Sequence, residues 1–471
     1  MRTRRGVALV AVVSATLALG ACSRRTVGPL EATSESALTD RLDKVVAATY
    51  ANDGPGAAVL VAKGGHIVLR KGYGLASVEL RVPIEPDMIF RVGSVTKQFT
   101  AALILLLAED GRLRLDDDVR KYVPDFPAGE RRVTIEHLLT HTSGIKNYTE
   151  LPSWRNVQTH DLLLPELIAL FRNEPFDFEP GTRYHYSNSG YVLLGAIIES
   201  LSGRSYGDAL RERILEPLGM THTFYGATAP IIPRRVQGYV RDGLLLNNAP
   251  YLSMTQPHAA GALVSSVDDL LTWDRALTEG RILGADARQK WITPYRLSNG
   301  RVTHYGYGWS VNTYEGHPVI EHSGGIHGFR GHVLRLPADL GYIAVLSNDG
   351  GPGRSPTTLA RRLAAIVMDR PLPAPDAAAL DPATQLAALV GSYAGSDELG
   401  DPFVQQVTLD GERLVTVRDE GPTTPLVPLS PTEFALEDST ARVSFVLDGS
   451  GRATGLRLRD WGRDEVAKRQ P

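Results

Sequence analysis

The chain has 471 residues, of which 43% are hydrophobic and 22% are charged. This composition supports a full hydrophobic core, and it excludes both wholesale disorder and a small scaffold held together by disulfides. With a formal net charge of −3, the chain has no excess of basic residues of the kind that nucleic-acid-binding proteins carry. Because Cys22 is the single cysteine, no intramolecular disulfide can form and packing alone must hold the fold.

The N-terminus has the charged-then-apolar order of a secretory signal. Arginines within the first five residues precede the apolar stretch from Gly6 to Gly20, which is too short to span a bilayer. The following Cys22 ends the segment Leu-Gly-Ala-Cys, which resembles the lipobox of bacterial lipoproteins. We therefore expect a signal peptide over 1–21, lipidation of Cys22 and a tether over 22–36, with the protein anchored at an extracytoplasmic face of the bacterial cell envelope.

The next segments alternate between strand and helix patterns. Apolar residues at helical spacing predict a first helix over 37–51. The runs AAVLVAK and HIVLRKGYG flank Gly64-Gly65, which is typical of a β-hairpin. From about 94 to 290 the apolar spacing is mostly helical, and then short strand-like runs return before the amphipathic segment TTLARRLAAIVMDR. Strands at both ends with helices between them predict an α+β fold of the α/β sandwich type, in which helices flank one antiparallel sheet and form an inserted all-helical subdomain.

A change of composition marks a second domain near the C-terminus. Residues 372–382 are rich in Pro, Ala and Asp, which is typical of a linker. Beyond them, short strands broken by Asp-Gly turns predict a small all-β domain over 383–471, a sheet or barrel. The larger domain would then cover 37–371, and the small domain carries no recognisable catalytic constellation.

The first candidate for chemistry is the tetrad Ser94-Val95-Thr96-Lys97. It directly precedes a helical run, so a serine and a lysine three residues apart face the same side of the first turn. The free backbone N–H groups of that turn favour developing negative charge. A lysine held in a partly buried cleft loses its proton readily, which would let Lys97 activate Ser94 as a nucleophile.

A second S-x-x-K occurs at Ser143 and Lys146, but no helix follows it to fix the geometry of the pair, and we reject it. The segment Tyr186-Ser187-Asn188 adds a phenol and an amide that point to one side of an extended chain. Beside a cationic lysine the pKa of Tyr186 would fall and the phenol would share the base role, while Asn188 would bond a substrate carbonyl. Another Y-x-N, at Tyr50, has no partner motif.

The third candidate motif is His322-Ser323-Gly324-Gly325, which follows a strand-like run. Glycines at this place let a substrate backbone approach the strand closely. A free N–H on the strand edge would join the N–H of Ser94 to form an oxyanion hole.

The order and spacing of these three motifs resemble the serine β-lactamase-like superfamily, and most of all the class C β-lactamases, D-alanyl-D-alanine carboxypeptidases and related esterases. The resemblance extends over about 38–370 and includes the phrases TIEHLLTHTSG from Thr134, YSNSGYVLLGAIIE from Tyr186 and AGALVSSVDDL from Ala260. It implies an acyl-enzyme on Ser94, a base system of Lys97 and Tyr186, no cofactor and no metal. It also implies that Asn188 and the motif from His322 to Gly325 contact the substrate, a small molecule or a peptide.

The chain departs from that family pattern at two motifs. Tyr-Ser-Asn at 186–188 stands where class A enzymes have Ser-Asp-Asn, so a mechanism driven by a glutamate is not supported. His322 stands where class C enzymes and many penicillin-binding proteins have Lys, and an imidazole attracts a substrate carboxylate less than an ammonium does. These departures favour an esterase or a peptidase of D-amino-acid substrates over an efficient β-lactamase.

Three alternatives were weighed against this interpretation. His137 and His141 have the i, i+4 spacing of a zinc site, but Leu138 replaces the catalytic Glu of that motif and no third ligand is evident. No G-x-S-x-G elbow of an α/β-hydrolase is present. The remaining alternative is a catalytically silent envelope protein that binds peptidoglycan stem peptides in the same cleft. The small β domain resembles the lipocalin-like domains of some relatives, and either a covering role or peptidoglycan binding stays open for it.

Overall fold

The computed structural model describes residues 29–243, 245–351, 353–373 and 384–471. The predicted signal peptide, Cys22 and most of the predicted linker lie outside these ranges. Within them, no helix combines the length and the apolar character needed to cross a membrane.

The helices in chain order are α1 (Pro29–Thr49), α2 (Thr96–Glu109), α3 (Ile135–Leu139), α4 (Pro152–Val157), α5 (Leu164–Ala169), α6 (Asn188–Ser202), α7 (Tyr206–Leu210), α8 (Glu216–Leu218), α9 (His258–Gly261), α10 (Val267–Glu279), α11 (Ala285–Trp291), α12 (Pro356–Val367) and α13 (Thr384–Leu389). The strands that precede the C-terminal domain are β1 (Ala57–Lys63), β2 (His66–Tyr73), β3 (Leu75–Ser77), β4 (Val82–Pro83), β5 (Phe90–Arg91), β6 (Phe224–Tyr225), β7 (Tyr239–Asp242), β8 (Leu245–Asn248), β9 (Leu263–Ser265), β10 (Ser310–Tyr314), β11 (His317–Ile326), β12 (Phe329–Leu336) and β13 (Gly341–Ser347). The strands of the C-terminal domain are β14 (Gly391–Ser396), β15 (Pro402–Asp410), β16 (Arg413–Arg418), β17 (Thr424–Pro428), β18 (Glu433–Leu436), β19 (Arg442–Leu447), β20 (Ala453–Asp460) and β21 (Arg463–Arg469).

The main sheet has six antiparallel strands in the order β10-β11-β12-β13-β1-β2. The early hairpin β1–β2 therefore completes a sheet whose other strands come more than 230 residues later in the chain. Side chains of β1 alternate between two cores, with Leu60 packed under the helical subdomain and Val59 packed under α1 and α12. Since both faces are covered, β1 and β13 are almost continuously apolar. The predicted α+β class, with helices on an antiparallel sheet, is confirmed.

The inserted helices form the subdomain that holds the candidate site. Helix α2 packs against α6 and α9, and its residues from Thr96 to Leu105 are all buried. A helix that is apolar almost all round belongs to the core of a large domain. Its N-terminus therefore has a fixed position between the sheet and the helical subdomain.

The C-terminal strands close into an eight-stranded antiparallel barrel with its own core. The barrel contacts the main sheet through Trp461, whose ring stacks on Tyr314 with 4.4 Å between the ring centroids. A buried polar contact adds to this, because Arg361 on α12 binds both Glu321 on β11 and Asp460 on β20. The predicted all-β domain is confirmed as a barrel.

Two local predictions differ from the structure. Helix α1 begins at Pro29, eight residues before its predicted start, so part of the predicted tether is helical. Ser94 lies on a 3₁₀ turn, Gly93–Val95, directly before α2 instead of on the first α-helical turn. The turn forms because Gly93 adopts a positive φ of 52°, which favours glycine.

Candidate active site

The Ser94 turn lies directly against the edge of β11. A Cβ atom added to Gly324 would meet the carbonyl oxygen of Val92 at 2.0 Å, and one added to Gly93 would meet the amide nitrogen of Gly325 at 2.8 Å. Real Cβ atoms do not approach other atoms so closely, so both positions require glycine. These two glycines bring the backbone of the third motif next to Ser94.

Lys97 is fully buried, although its side chain carries an amine. Its Nζ lies 3.1 Å from Ser94 Oγ, 2.8 Å from Asn188 Oδ1 and 2.8 Å from the carbonyl oxygen of Ala260. Among the described residues, no carboxylate forms an ion pair with it. Burial therefore lowers the pKa of Lys97 well below its ordinary value of 10.5.

These contacts decide which hydrogen bonds a neutral Lys97 amine can donate and accept. A neutral amine has two N–H donors and one lone pair. Asn188 Oδ1 and the Ala260 carbonyl accept hydrogen bonds and cannot donate any, so they use the two N–H groups. In the neutral form the lone pair is then left for the Ser94 hydroxyl, 3.1 Å away, which is the arrangement that a general base needs.

Asn188 holds the lysine through a fixed carboxamide. Its Nδ2 donates to Thr149 Oγ1 at 3.1 Å, and its backbone N–H donates to Asn147 Oδ1, also at 3.1 Å. The Oδ1 atom is thus directed at Lys97. The sequence predicts Asn188 as a substrate contact; the structure gives the side chain a second partner, because its oxygen binds the lysine.

Tyr186 lies beside the same amine. Lys97 Nζ is 4.7 Å from the centroid of its ring, and its hydroxyl is buried with no hydrogen-bond partner among the described residues. Burial raises the pKa of Tyr186, and the neighbouring Ser94 hydroxyl offsets this only in part. The expected lowering of this pKa is not found, because burial outweighs the effect of the neighbouring groups.

His322 is buried and neutral. Burial is the main cause that lowers its pKa, to about 3. Its Nδ1 lies 2.6 Å from the Ser323 carbonyl oxygen and its Nε2 lies 2.8 Å from the Tyr305 hydroxyl. Since a carbonyl only accepts, Nδ1 carries the proton and Nε2 accepts from Tyr305. His322 therefore offers no positive charge to a substrate.

The remaining residues of the third motif lie on a free strand edge. The pairing of β10 with β11 ends at Ser310 and Glu321, and no other described strand covers the outer side of β11 beyond that point. Ser323 and Gly325 are exposed, and a Cβ on Gly325 would meet no atom within 4 Å. A substrate backbone has room to lie along this edge.

A cleft of about 230 Å³ opens at Ser94. Its walls come from the loop that carries α4, from the segment before α9 and from the end of β11, and include Tyr148, Trp154, Leu252, Ile326 and His327. Asn188 and Gly325 also line it. The cleft is mostly apolar, with the nucleophile candidate at its base.

The residues of the rejected motifs have other partners in the structure. Lys146 is bound by Asp177 at 2.7 Å, and the hydroxyl of buried Ser143 accepts from the backbone of Ile145, so neither is available as nucleophile or base. Within the described ranges, no group of His, Cys, Asp and Glu side chains is placed to hold a metal ion.

Sequence reasoning missed three groups of the site. The Ala260 carbonyl is a backbone atom and has no signature of its own, although its neighbours belong to a phrase with a family likeness. Tyr305 carries no motif. His141 was weighed only as a metal ligand, whereas its buried ring lies 4.2 Å from the Tyr186 ring and 4.8 Å from the Tyr305 ring, measured between centroids.

The comparisons with known proteins agree with this geometry. The family model described as Beta-lactamase matches residues 42–368. The chain belongs to the Beta-lactamase family. The match covers the sheet and the helical subdomain and ends just after α12, before the barrel.

The relatives of this Beta-lactamase family member match different shares of the chain. Penicillin-binding protein 4* of Bacillus subtilis is 32% identical over 434 residues, which cover 87% of this chain and 94% of that protein. D-aminopeptidase of Gluconobacter oxydans is 30% identical over 65% of this chain and 58% of its own length. The solved structure of an octameric penicillin-binding protein homologue from Pyrococcus abyssi has a TM-score of 0.63 at 29% identity, covering 92% of this chain and 99% of that one. The protein is a serine hydrolase of this family.

Proposed function

We propose that the protein hydrolyses amides or esters of D-amino acids through an acyl-enzyme on Ser94. The observation that carries the proposal is the buried Lys97, whose Nζ lies 3.1 Å from Ser94 Oγ and whose pKa burial lowers well below its ordinary value. A pure binding protein has no use for a buried amine whose two N–H groups are both fixed by acceptors.

Each step of the reaction has a group in place. The Ser94 hydroxyl passes its proton to Lys97 as Oγ bonds the substrate carbonyl carbon. The N–H groups of Ser94 and Gly325 hold the oxyanion. The carbonyl carbon then releases the leaving amine or alcohol, which takes the proton from Lys97 through the Tyr186 hydroxyl. Water next loses a proton to Lys97 and attacks the acyl carbon. The bond between that carbon and Ser94 Oγ then breaks, Oγ takes the proton back from Lys97, and the acid product leaves.

Two observations favour D-amino-acid substrates over β-lactams. A named relative is a D-aminopeptidase, and neutral His322 supplies no cation of the kind that binds the carboxylate of a β-lactam. We therefore expect short-chain esters and D-amino-acid amides to be turned over faster than a cephalosporin.

Replacing Ser94 by alanine is expected to reduce hydrolysis by about 10³-fold or more, because Ser94 Oγ is the only hydroxyl among the described residues that Lys97 Nζ bonds. The measurement uses protein starting after Cys22, with a p-nitrophenyl ester, D-alanine p-nitroanilide, its L isomer and a chromogenic cephalosporin. Ser143→Ala, in the second S-x-x-K, is the matched control and should keep wild-type rates. Turnover that survives Ser94→Ala would contradict the proposal.

The second candidate function is a silent binding protein for peptidoglycan stem peptides. The intact Ser94, Lys97 and Tyr186 argue against it. Folded wild-type protein that hydrolyses none of the four substrates, yet binds a stem peptide, would favour this second function over the first.

We also propose that the protein is a lipoprotein of the bacterial cell envelope, anchored through Cys22. The proposal is supported by the signal-like segment and the lipobox-like sequence before that residue. Cells expressing the full chain and fed an alkyne-labelled fatty acid should label the wild type and leave Cys22→Ser unlabelled. Equal labelling of the two proteins would overturn the anchor.

A further inference from the structure

Two arginines near the cleft have no acidic partner. Arg91, on β5, is partly buried and forms no ion pair or side-chain hydrogen bond with any described residue. Its guanidinium carbon lies 5.8 Å from the centroid of the Phe329 ring. Burial and the charge of Arg235 lower the pKa of Arg91. Within the part of the chain that the structure describes, the Arg235 side chain makes one long hydrogen bond, of 3.5 Å, to the backbone carbonyl of Ala227.

Arg91 is connected to one wall of the cleft through Phe329. The Phe329 ring contacts the Arg91 guanidinium, and Phe329 pairs with Ile326 across the hairpin that follows β11. Ile326 and His327 line the cleft. Burial lowers the pKa of His327, and the charge of Arg91 adds to this effect. The positive charge thus borders the β11 end of the cleft.

The direction of the reaction decides which part of a substrate meets this charge; this step rests on the proposed function. The leaving group has to take its proton from Lys97 and Tyr186, so it lies on the side of Tyr186, Tyr305 and His322. The acyl part lies on the opposite side, in the cleft between Trp154 and Ile326. Its far end points towards His327 and Arg91.

We propose that Arg91 and Arg235 form a carboxylate-binding subsite for the acyl part of the substrate. A guanidinium that is partly buried and unpaired binds a carboxylate strongly. Part of its hydration has already been lost on folding, and its N–H groups can donate to both carboxylate oxygens. Neutral His322 cannot serve this purpose. Substrates with a free acid on the acyl side are therefore preferred over neutral ones of the same shape.

The test compares N-succinyl-D-alaninamide with N-succinamoyl-D-alaninamide, which differ only by an acid against an amide. Calorimetry on the Ser94→Ala variant measures binding without turnover. We expect the acid to bind about tenfold more tightly, in line with a charge-assisted hydrogen bond. We expect Arg91→Gln to remove most of that ratio and Arg91→Lys to restore part of it.

Arg234→Gln is the matched control, because Arg234 is already paired with Glu85 and Asp87; it should leave the acid-to-amide ratio unchanged. Arg235→Gln tests the subsite at an exposed position, in case Arg91→Gln disturbs packing on Phe329. Equal binding of the two ligands, or a ratio that neither arginine variant changes, would overturn the subsite. Because binding is measured without turnover, failure of the proposed function would appear separately, as hydrolysis that survives Ser94→Ala.

Discussion

Replacing Lys97 by methionine is expected to lower kcat/KM for a p-nitrophenyl ester by about 10² to 10⁴-fold, the usual contribution of a positioned general base. Methionine fills nearly the same volume but offers no lone pair to Ser94. Asn188 Oδ1 and the Ala260 carbonyl also lose their donor. The measurement is the pre-steady-state rate of acylation, beside circular dichroism to confirm the fold.

The control for this variant is Lys146→Met, which removes the lysine of the second S-x-x-K. Lys146 is partly exposed and forms an ion pair with Asp177, so its loss should leave the acylation rate unchanged. Acylation at the wild-type rate in Lys97→Met would contradict the assignment of Lys97 as the general base.

The lowered pKa of Lys97 has a second consequence, for stability against pH. The unfolded lysine titrates near 10.5, whereas the folded one holds its proton less tightly. Between the two pKa values the unfolded state binds more protons, so this group makes the wild type more stable as pH rises. The free energy of unfolding of the wild type should therefore increase relative to that of Lys97→Met as pH approaches 10.5. The same shift places the acidic limb of kcat/KM well below the ordinary lysine range.

Replacing Arg361 by leucine is expected to lower the free energy of unfolding by about 3 to 5 kcal/mol, the usual effect of breaking a buried ion pair from one side. Arg361 lies 2.6 Å from Glu321 and 2.9 Å from Asp460, and its side chain is only 14% exposed. Burial alone would raise the pKa of Glu321, but Arg361 and His332 hold it well below its usual range. Without Arg361, a buried carboxylate loses its main counter-charge.

Denaturant unfolding measures this effect, with Arg362→Leu as the matched control. Arg362 is the next residue on α12, is exposed, and makes no ion pair with a described residue. The double variant Arg361→Leu with Glu321→Leu should recover part of the lost stability, since removing both partners leaves no unpaired charge. A change below about 1 kcal/mol in Arg361→Leu, the range of exposed pairs, would show that the barrel contact contributes little.

Much of the fold was predictable because local patterns carried it. The hairpin around Gly64-Gly65, the late strands and the C-terminal strands all have short apolar runs between turn residues, and each was found where the pattern indicated. The start of α1 was missed because the polar, small residues from 29 to 36 give no apolar spacing. The 3₁₀ turn at Ser94 was missed because it depends on Gly93 fitting against Gly325.

The fold class, the family likeness and the candidate residues Ser94, Lys97, Tyr186, Asn188 and 322–325 could be predicted from the sequence, since these residues belong to motifs with fixed spacing. The pKa shifts of the candidate residues follow from the tertiary structure instead. Burial lowers the pKa of the Lys97 amine, which bonds groups 91 and 163 residues away, and Tyr305 binds the neutral imidazole of His322. These effects depend on desolvation and on contacts between residues far apart in the chain, and neither can be predicted from the spacing of residues in a motif.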